Sequence, residues 1–190
     1  VMNALAAATV AMRYGMAPET VARILASQHT ISPHRMALST VNREGTSFTL
    51  IDDSFNANPD SMKAGLNGLK AWNSNDGKEP FRVALLGAML ELGADETALH
   101  TSIGTYADEL GIDAIIAVGS AQDQHLDALA QALADGARQS QSASVDCVHD
   151  IDAAEQLVID LARNHPDAVV LLKGSHASGL SALAERWAKN

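Results

Sequence analysis

Residues 49–62, with the sequence TLIDDSFNANPDSM, lead from an apolar strand through two acids and several small polar residues into a helix. Pro59 has no N–H group to give to a neighbouring strand, so we expect the strand to end before it. Asp60 or Ser61 is the predicted cap of the helix, in which apolar side chains then recur at helical spacing. A loop of this kind lies at the carboxyl end of its strand, where open α/β sheets bind their ligands.

The polar side chains of this loop allow two interpretations. Asp52, Asp53, Asn56 and Asn58 could together hold a ribose, a metal-bound phosphate or an attacking amine. The same residues could equally form a capped turn, in which Asp and Asn side chains accept hydrogen bonds from their own backbone. The loop alone leaves both interpretations open.

Strands and helices alternate through the rest of the chain. The strands are continuously apolar, which is typical of parallel strands covered by helices on both faces. A short glycine-containing loop near residue 45 indicates a hairpin, which places an antiparallel strand at the edge of the sheet. The predicted fold is α/β, a Rossmann-like, doubly wound and mostly parallel sheet with an antiparallel edge strand. The predicted strands cover residues 36–41, 47–51, 82–87, 114–119, 144–148 and 168–172, and the predicted helices cover residues 61–72, 96–110, 124–134, 151–163 and 180–187.

The same pattern divides the chain into three regions. Residues 1–27 are Ala-rich and helical, but they are too short to build a core of their own. Residues 28–35 contain Pro33 and mostly polar residues, which indicates a linker. Residues 36–190 form the predicted α/β domain. Because the helical pattern is already under way at Val1 and no basic leader precedes it, we expect a piece of a longer protein without a signal peptide.

The composition excludes several classes of protein. Of the 190 residues, 47% are apolar and only 4% are aromatic, and the net charge is −10. So acidic a chain lacks the electrostatic footprint of a nucleic-acid-binding protein, and no apolar run approaches the roughly 20 residues of a membrane span. We therefore expect a soluble cytoplasmic protein. The single cysteine, Cys147, excludes an internal disulfide and is expected in the core.

No glycine-rich phosphate loop occurs in the chain. Neither G-x-G-x-x-G nor G-x-x-x-x-G-K-[ST] is found, although Gly87 and Gly119 end two predicted strands. The histidines share no metal-ligand spacing, so no metal site is predicted. Those expected at the surface are His100, His125, His149 and His165.

Four stretches together resemble signatures of the Mur ligases. Residues 52–62 are joined by residues 3–8 (NALAAA), 86–93 (LGAMLELG) and 172–176 (LKGSH), which occur in the expected order over nearly the whole chain. The likeness is greatest to the family member that joins D-alanyl-D-alanine to UDP-N-acetylmuramoyl-tripeptide. One position departs from the family: Ala88 stands where an Asp is usual. This departure puts an amine-steering role of the loop in doubt, with Glu91 as the candidate replacement.

The resemblance implies an ATP-dependent reaction that forms an amide bond. The carboxylate of the tripeptide would be activated as an acyl phosphate, which the amine of the dipeptide would then attack. ATP and Mg²⁺ would be bound mainly by a central domain, of which residues 1–27 would be the tail. This chain would then hold no catalytic or metal-binding residue and would be inactive alone, whereas the full-length enzyme would be a monomer.

The resemblance also implies roles for single residues. Asn3 would contact the base of ATP, Arg35 its phosphates and Asp53 its ribose. The alternatives are a helix-start Asn3, a solvated linker charge at Arg35 and a turn-forming Asp53. For Lys173 and His176 the alternative is an ordinary solvated side chain. The full set assigned to ATP is Asn3, Arg35, Asp53 and Asn56, and the set assigned to D-alanyl-D-alanine is Asn58, Lys173, Gly174, Ser175 and His176.

Three rival interpretations remain from the residues. Another amino-acid ligase of the same family would carry an Asp-Asn-Pro-Arg motif, which this chain lacks. A stand-alone Rossmann-like domain could bind a small ligand without any ligase activity. A pure interaction module would leave the polar strand-end loops without a role. A G-x-x-G-K-[ST] loop in the preceding sequence would decide for the ligase.

Overall fold

The computed structural model describes residues 2–27, 33–73, 77, 79–139 and 143–189. The chain divides into two compact units, Val1–Pro33 and His34–Asn190. The first unit holds two helices, α1 (Met2–Arg13) and α2 (Pro18–Ala26). Pro18 opens α2, where its fixed φ suits the first helical turn. Most of the predicted linker at residues 28–35 lies outside the described residues.

The second unit is built on a six-stranded sheet with the strand order β1-β2-β6-β3-β4-β5. Only the β1–β2 pair is antiparallel, and every other neighbouring pair is parallel. The predicted mostly parallel sheet with an antiparallel edge strand is therefore confirmed. The strands are β1 (Ala37–Arg43), β2 (Thr46–Asp53), β3 (Arg82–Gly87), β4 (Ala114–Val118), β5 (Ser144–Val148) and β6 (Val169–Lys173).

Helices cover both faces of this sheet, which makes the fold doubly wound. Along β3 the side chains alternate, so that Ala84 and Leu86 face one helical layer while Val83 and Leu85 face the other. The first layer contains α3 (Pro59–Ala71), α4 (Glu96–Glu109) and α5 (Gln124–Ala137), and the second contains α6 (Ile151–Asn164) and α7 (Leu180–Trp187). Within the described residues, no helix is long and apolar enough to cross a membrane.

The hairpin at the sheet edge is tighter than predicted. Its strands extend to Arg43 and from Thr46, so only Glu44 and Gly45 form the turn. Both turn residues have positive φ angles, 47° and 78°, as a type I′ turn requires. The loop predicted at residues 42–46 was therefore too long, because this turn type matches the twist of the strands and lets them pair to its corners.

Helices α4 and α5 approach each other at two glycines. A Cβ atom built on Gly104 would lie 1.9 Å from the carbonyl oxygen of Leu133, and one on Gly136 would lie 2.0 Å from that of Thr101. Gly136 lies within α5, because this helix continues to Ala137, three residues beyond its predicted end. Glycine is tolerated inside both helices because no other residue allows their backbones so close.

Candidate functional site

Three strands of the sheet end side by side and carry the loops that the sequence singled out. Asp53, the last residue of β2, pairs in register with Lys173, the last residue of β6, and Lys173 in turn pairs with Leu86 near the end of β3. We call the cluster formed by residues 53–58, 86–91 and 173–176 the strand-end site. Parallel topology brings these loops to one edge, where open α/β sheets bind their ligands.

A buried ion pair lies at the centre of the strand-end site. The Nζ atom of Lys173 donates a hydrogen bond to Oδ2 of Asp53, and it lies 3.4 Å from the carbonyl oxygen of Asn56. Lys173 is only 1% exposed. The backbone N–H of Met36 donates to the other oxygen of Asp53 over 3.2 Å. Such burial requires this pairing, because an isolated buried ammonium would be very costly.

Gly65 of α3 makes room for the lysine stem. A Cβ atom at Gly65 would lie 2.8 Å from Cδ of Lys173 and 3.5 Å from Cδ2 of Leu171. The side chain of Lys173 therefore runs through a slot between β6 and α3 before its ammonium reaches Asp53.

The loop after β2 uses both of its asparagines in backbone hydrogen bonds. Oδ1 of Asn56 accepts from the N–H of Ala57 over 2.8 Å. Asn58 is the cap of α3: its Oδ1 accepts from the N–H of Ser61, whose hydroxyl accepts from the N–H of Asn58. The helix therefore begins two to three residues earlier than predicted, and the cap expected at Asp60 or Ser61 was wrong. Pro59 takes the first helical position, so its missing N–H costs nothing there.

The segment before β1 also contributes to this edge. Nδ1 of His34 donates to Oδ2 of Asp52 over 2.8 Å, while the carbonyl oxygen of His34 accepts from the N–H of Phe55 over 3.0 Å. The guanidinium of Arg35 lies over the ring of Phe55, 4.1 Å from its centroid. The structure therefore places Arg35 beside the loop that follows β2. Sequence reasoning missed His34, since no local pattern connects it with Asp52.

The loop after β6 is held against the loop after β3. The N–H of Ser175 donates to the carbonyl oxygen of Ala88 over 2.8 Å. A Cβ atom at Gly174 would lie 2.9 Å from Cα of Gly87, so only glycine fits between the two backbones. The hydroxyl of Ser175 is buried and has no hydrogen-bond partner within the described part of the chain. His176 is exposed.

His100 is buried, and its prediction as a surface residue was wrong. Its Nε2 accepts from the N–H of Met89 over 2.8 Å, and its Nδ1 lies 2.7 Å from the carbonyl oxygen of Glu96. Burial lowers the pKa of His100 below its ordinary value. The local sequence did not reveal this burial, because the acceptor role of Nε2 depends on the N–H of Met89 in another loop. Of the other histidines expected at the surface, His125 and His149 are exposed, whereas His165 is half-buried and stacks on the ring of Phe81. Cys147, which was expected in the core, is half-buried, and this burial raises the pKa of its thiol.

Two further predictions concern Asn3 and a metal site. Asn3 lies on α1 in the first unit and is exposed there. Among the residues that the structure describes, no three His, Cys, Asp or Glu side chains converge on a point where a metal ion could bind. The predicted site residues that share one edge of the sheet are therefore Arg35, Asp53, Asn56, Asn58, Lys173, Gly174, Ser175 and His176.

This architecture defines a class of protein: a doubly wound α/β domain whose strand ends carry a polar, charged edge, in the position where open α/β sheets bind their ligands. Residues 34–176 match the family described as Mur ligase, glutamate ligase domain. The chain belongs to this family.

Individual relatives agree with the family match. The UDP-N-acetylmuramoyl-tripeptide–D-alanyl-D-alanine ligase of Mycobacterium tuberculosis (strain CDC 1551) is 39% identical over 191 residues, which cover 97% of this chain but 37% of that protein. Crystal structure II of MurF from Acinetobacter baumannii superposes with a TM-score of 0.77 at 25% identity, over 100% of this chain and 38% of that one. MurF from Thermotoga maritima in complex with ADP shares the fold, with a TM-score of 0.56 at 21% identity over 91% of this chain and 36% of that one. The chain thus spans somewhat over a third of the relatives that it matches.

Proposed function

We propose that this chain is the C-terminal part of an ATP-dependent ligase that adds D-alanyl-D-alanine to UDP-N-acetylmuramoyl-tripeptide in peptidoglycan synthesis. The observation that carries the proposal is the 39% identity, over 97% of the chain, to a ligase of that name. The strand-end site supports it, since the residues assigned to D-alanyl-D-alanine lie there together with Asp53 and Asn56, two of the residues assigned to ATP. The remainder of the enzyme would include the central ATP-binding domain, of which residues 1–27 would be the tail.

The side chains at and beside the strand-end site suit the ribose and a phosphate of ATP. Among the residues that the structure describes, each oxygen of Asp53 accepts one hydrogen bond, which leaves lone pairs for the hydroxyl groups of a ribose. The guanidinium of Arg35 lies beside the same loop and suits a phosphate. When bound, ATP would supply the phosphoryl group that activates the tripeptide carboxylate.

The described residues do not fit a magnesium site, because no group of three candidate ligands converges among them. Any Mg²⁺ that accompanies ATP would therefore be held by the remainder of the enzyme. What this chain contributes is binding and orientation of the substrates, together with exclusion of water from the reacting groups.

For the dipeptide, the structure suggests a division of roles around Lys173. Its ammonium is bound to Asp53, which supports a role in holding that carboxylate for ATP. The hydroxyl of Ser175, which has no hydrogen-bond partner among the described residues, and the exposed His176 then remain for the carboxylate of D-alanyl-D-alanine. Gly174 allows the close approach of the two loops. Asn58 would orient the loop by capping α3.

The proposal is tested on the full-length enzyme by measuring ADP release with tripeptide substrate and varied amino acids or dipeptides. We expect release to depend on D-alanyl-D-alanine. Asp53→Asn should raise KM for ATP roughly tenfold, since one charge-assisted hydrogen bond is weakened, whereas Ser175→Ala should raise KM for the dipeptide by a similar factor. Asp160→Asn, an exposed change on α6, is the matched control and should change neither. ADP release that ignores D-alanyl-D-alanine, or that requires a single amino acid instead, would overturn the proposal.

A further inference from the structure

A single peptide group joins the loop after β3 to two other parts of the fold. The peptide between Ala88 and Met89 uses its carbonyl oxygen to accept from the N–H of Ser175, over 2.8 Å. It uses its N–H to donate to Nε2 of His100, also over 2.8 Å. The first bond leads to the loop after β6 and the second leads to helix α4. Both polar atoms of this peptide are therefore satisfied from opposite sides.

The second bond needs one particular tautomer of His100. Nδ1 lies 2.7 Å from the carbonyl oxygen of Glu96 and must carry the proton that it donates there. Nε2 is then unprotonated and can accept from Met89. The side chain is fully buried. The titratable groups that face it are Glu96 on its own helix and His125 on α5. Nε2 of His125 lies 3.3 Å from Oε1 of Glu96.

We propose that His100 is a positioning residue which, through the Ala88–Met89 peptide, holds Ser175 in place to bind D-alanyl-D-alanine. The substrate in this statement rests on the proposed function, while the clamp itself rests on geometry alone. If Nε2 were lost, a buried N–H would be left without an acceptor. The peptide would turn to find another partner, and its carbonyl oxygen would leave the N–H of Ser175. The loop after β6 would lose the bond that fixes its first turn.

The rival explanation is that His100 simply fills space beneath the loop. Two substitutions separate the explanations. His100→Gln replaces the ring by an open-chain amide, whose oxygen can lie where Nε2 lies, so it preserves an acceptor for the N–H of Met89. His100→Phe preserves a buried ring but offers no acceptor. The clamp predicts that the Gln variant resembles the wild type more closely, whereas space filling predicts that the Phe variant does.

The test uses the full-length enzyme and two readouts. Hydrogen–deuterium exchange followed by mass spectrometry reports the protection of peptides that cover residues 86–93 and 173–178. In His100→Phe both segments should exchange at least about tenfold faster, and KM for D-alanyl-D-alanine should rise roughly tenfold with KM for ATP unchanged. His100→Gln should recover most of the protection and of the KM. His149→Gln, at an exposed position, is the matched control and should match the wild type in both readouts.

Each outcome bears on the clamp. Equal protection of both segments in His100→Phe and wild type would overturn it, as would better recovery by Phe than by Gln. If His100→Phe does not fold, His100→Asn takes its place, because its shorter amide reaches the position of Nδ1 but not that of Nε2. If the wild-type enzyme ignores D-alanyl-D-alanine, the proposed function fails, while the exchange measurement still decides whether the clamp exists.

Discussion

Lys173 and Asp53 stand opposite each other at the ends of two adjacent parallel strands and form an ion pair, although 120 residues separate them in sequence. The side chain of Lys173 is 2% exposed and that of Asp53 is 17% exposed, so the carboxylate is the more accessible member of the pair. Removing one partner from such a pair leaves the other charge buried and uncompensated. The pair therefore couples the loop after β2 to the loop after β6.

The slot for Lys173 predicts opposite effects of two glycine substitutions in α3. Alanine normally stabilises a helix by about 0.5–1 kcal/mol relative to glycine. Gly68→Ala should show this gain, because its Cβ would meet only Cε of Met36 at 3.4 Å. Gly65→Ala should instead lower stability by about 1–3 kcal/mol, because its Cβ would lie 2.8 Å from Cδ of Lys173. Urea unfolding of both variants checks the sign, and a Gly65→Ala protein as stable as Gly68→Ala would contradict the slot.

The buried carboxylate of Glu155 should matter for stability rather than for binding. Its Oε1 accepts from Nε1 of Trp187 over 2.9 Å and lies 3.2 Å from Nε of Arg43, while its Oε2 accepts from Arg186 over 2.6 Å. Glu155→Ala should cost about 2–4 kcal/mol, because it leaves the buried indole N–H and an arginine without their acceptor. Asp152→Ala removes the exposed second partner of Arg186 and should lower the free energy of unfolding by at most about 1 kcal/mol. Similar losses in the two variants, measured by thermal unfolding, would argue against this network.

The close approach of α4 and α5 predicts a large effect from one added methyl group. Gly104→Ala would place a Cβ atom 1.9 Å from the backbone oxygen of Leu133, which no side-chain rotation can relieve. We expect a loss of about 2–3 kcal/mol or more, because the helices must separate. Ser102→Ala on the exposed side of the same helix is the control and should be neutral or slightly stabilising. A Tm for Gly104→Ala within a degree or so of the control would show that the helices can separate freely.

Stability should depend on pH through His100. Burial lowers the pKa of His100 from its ordinary 6.5, so the unfolded chain binds this proton more readily than the folded one. The free energy of unfolding should therefore be highest above the unfolded value and should fall as the pH drops through it, by up to about 1.4 kcal/mol per pH unit. The decline should stop below the folded pKa. Glu96 and His125 are the ionisable groups nearby, and their contribution is common to wild type and His100→Gln. The difference between the two proteins, measured by urea unfolding at several pH values, isolates His100; parallel curves would contradict the prediction.

The sequence was sufficient for the sheet because its strands are continuously apolar and its helices are periodic. The bounds of β5 at residues 144–148 and α7 at residues 180–187 agree with the prediction, since each lies between clear polar or glycine boundaries. The start of α3 was misplaced, because Asn58, Asp60 and Ser61 are all good caps and only the backbone geometry chooses among them. The first of these wins because it lets Pro59 occupy the first helical position.

The contacts within the strand-end site could not be predicted from local patterns. The loops after β2 and β6 were each recognised by their residues, but the ion pair between Asp53 and Lys173 depends on the register of strands far apart in sequence. The burial of His100 depends on a backbone N–H in another loop. In both cases the partner is defined by tertiary structure, whereas hydrophobic periodicity indicates only local secondary structure.

The position of β6 has a consequence for how the domain comes into being during protein synthesis. β6 follows the other five strands in sequence, yet it lies between β2 and β3 in the sheet. Until residues 169–173 leave the ribosome, β2 and β3 each present an edge without its native neighbour, and the strand-end site lacks Lys173. Before that point the sheet of the nascent domain lacks the strand that belongs between β2 and β3. Insertion of one late strand then completes the hydrogen-bonding ladder and the strand-end site in the same event.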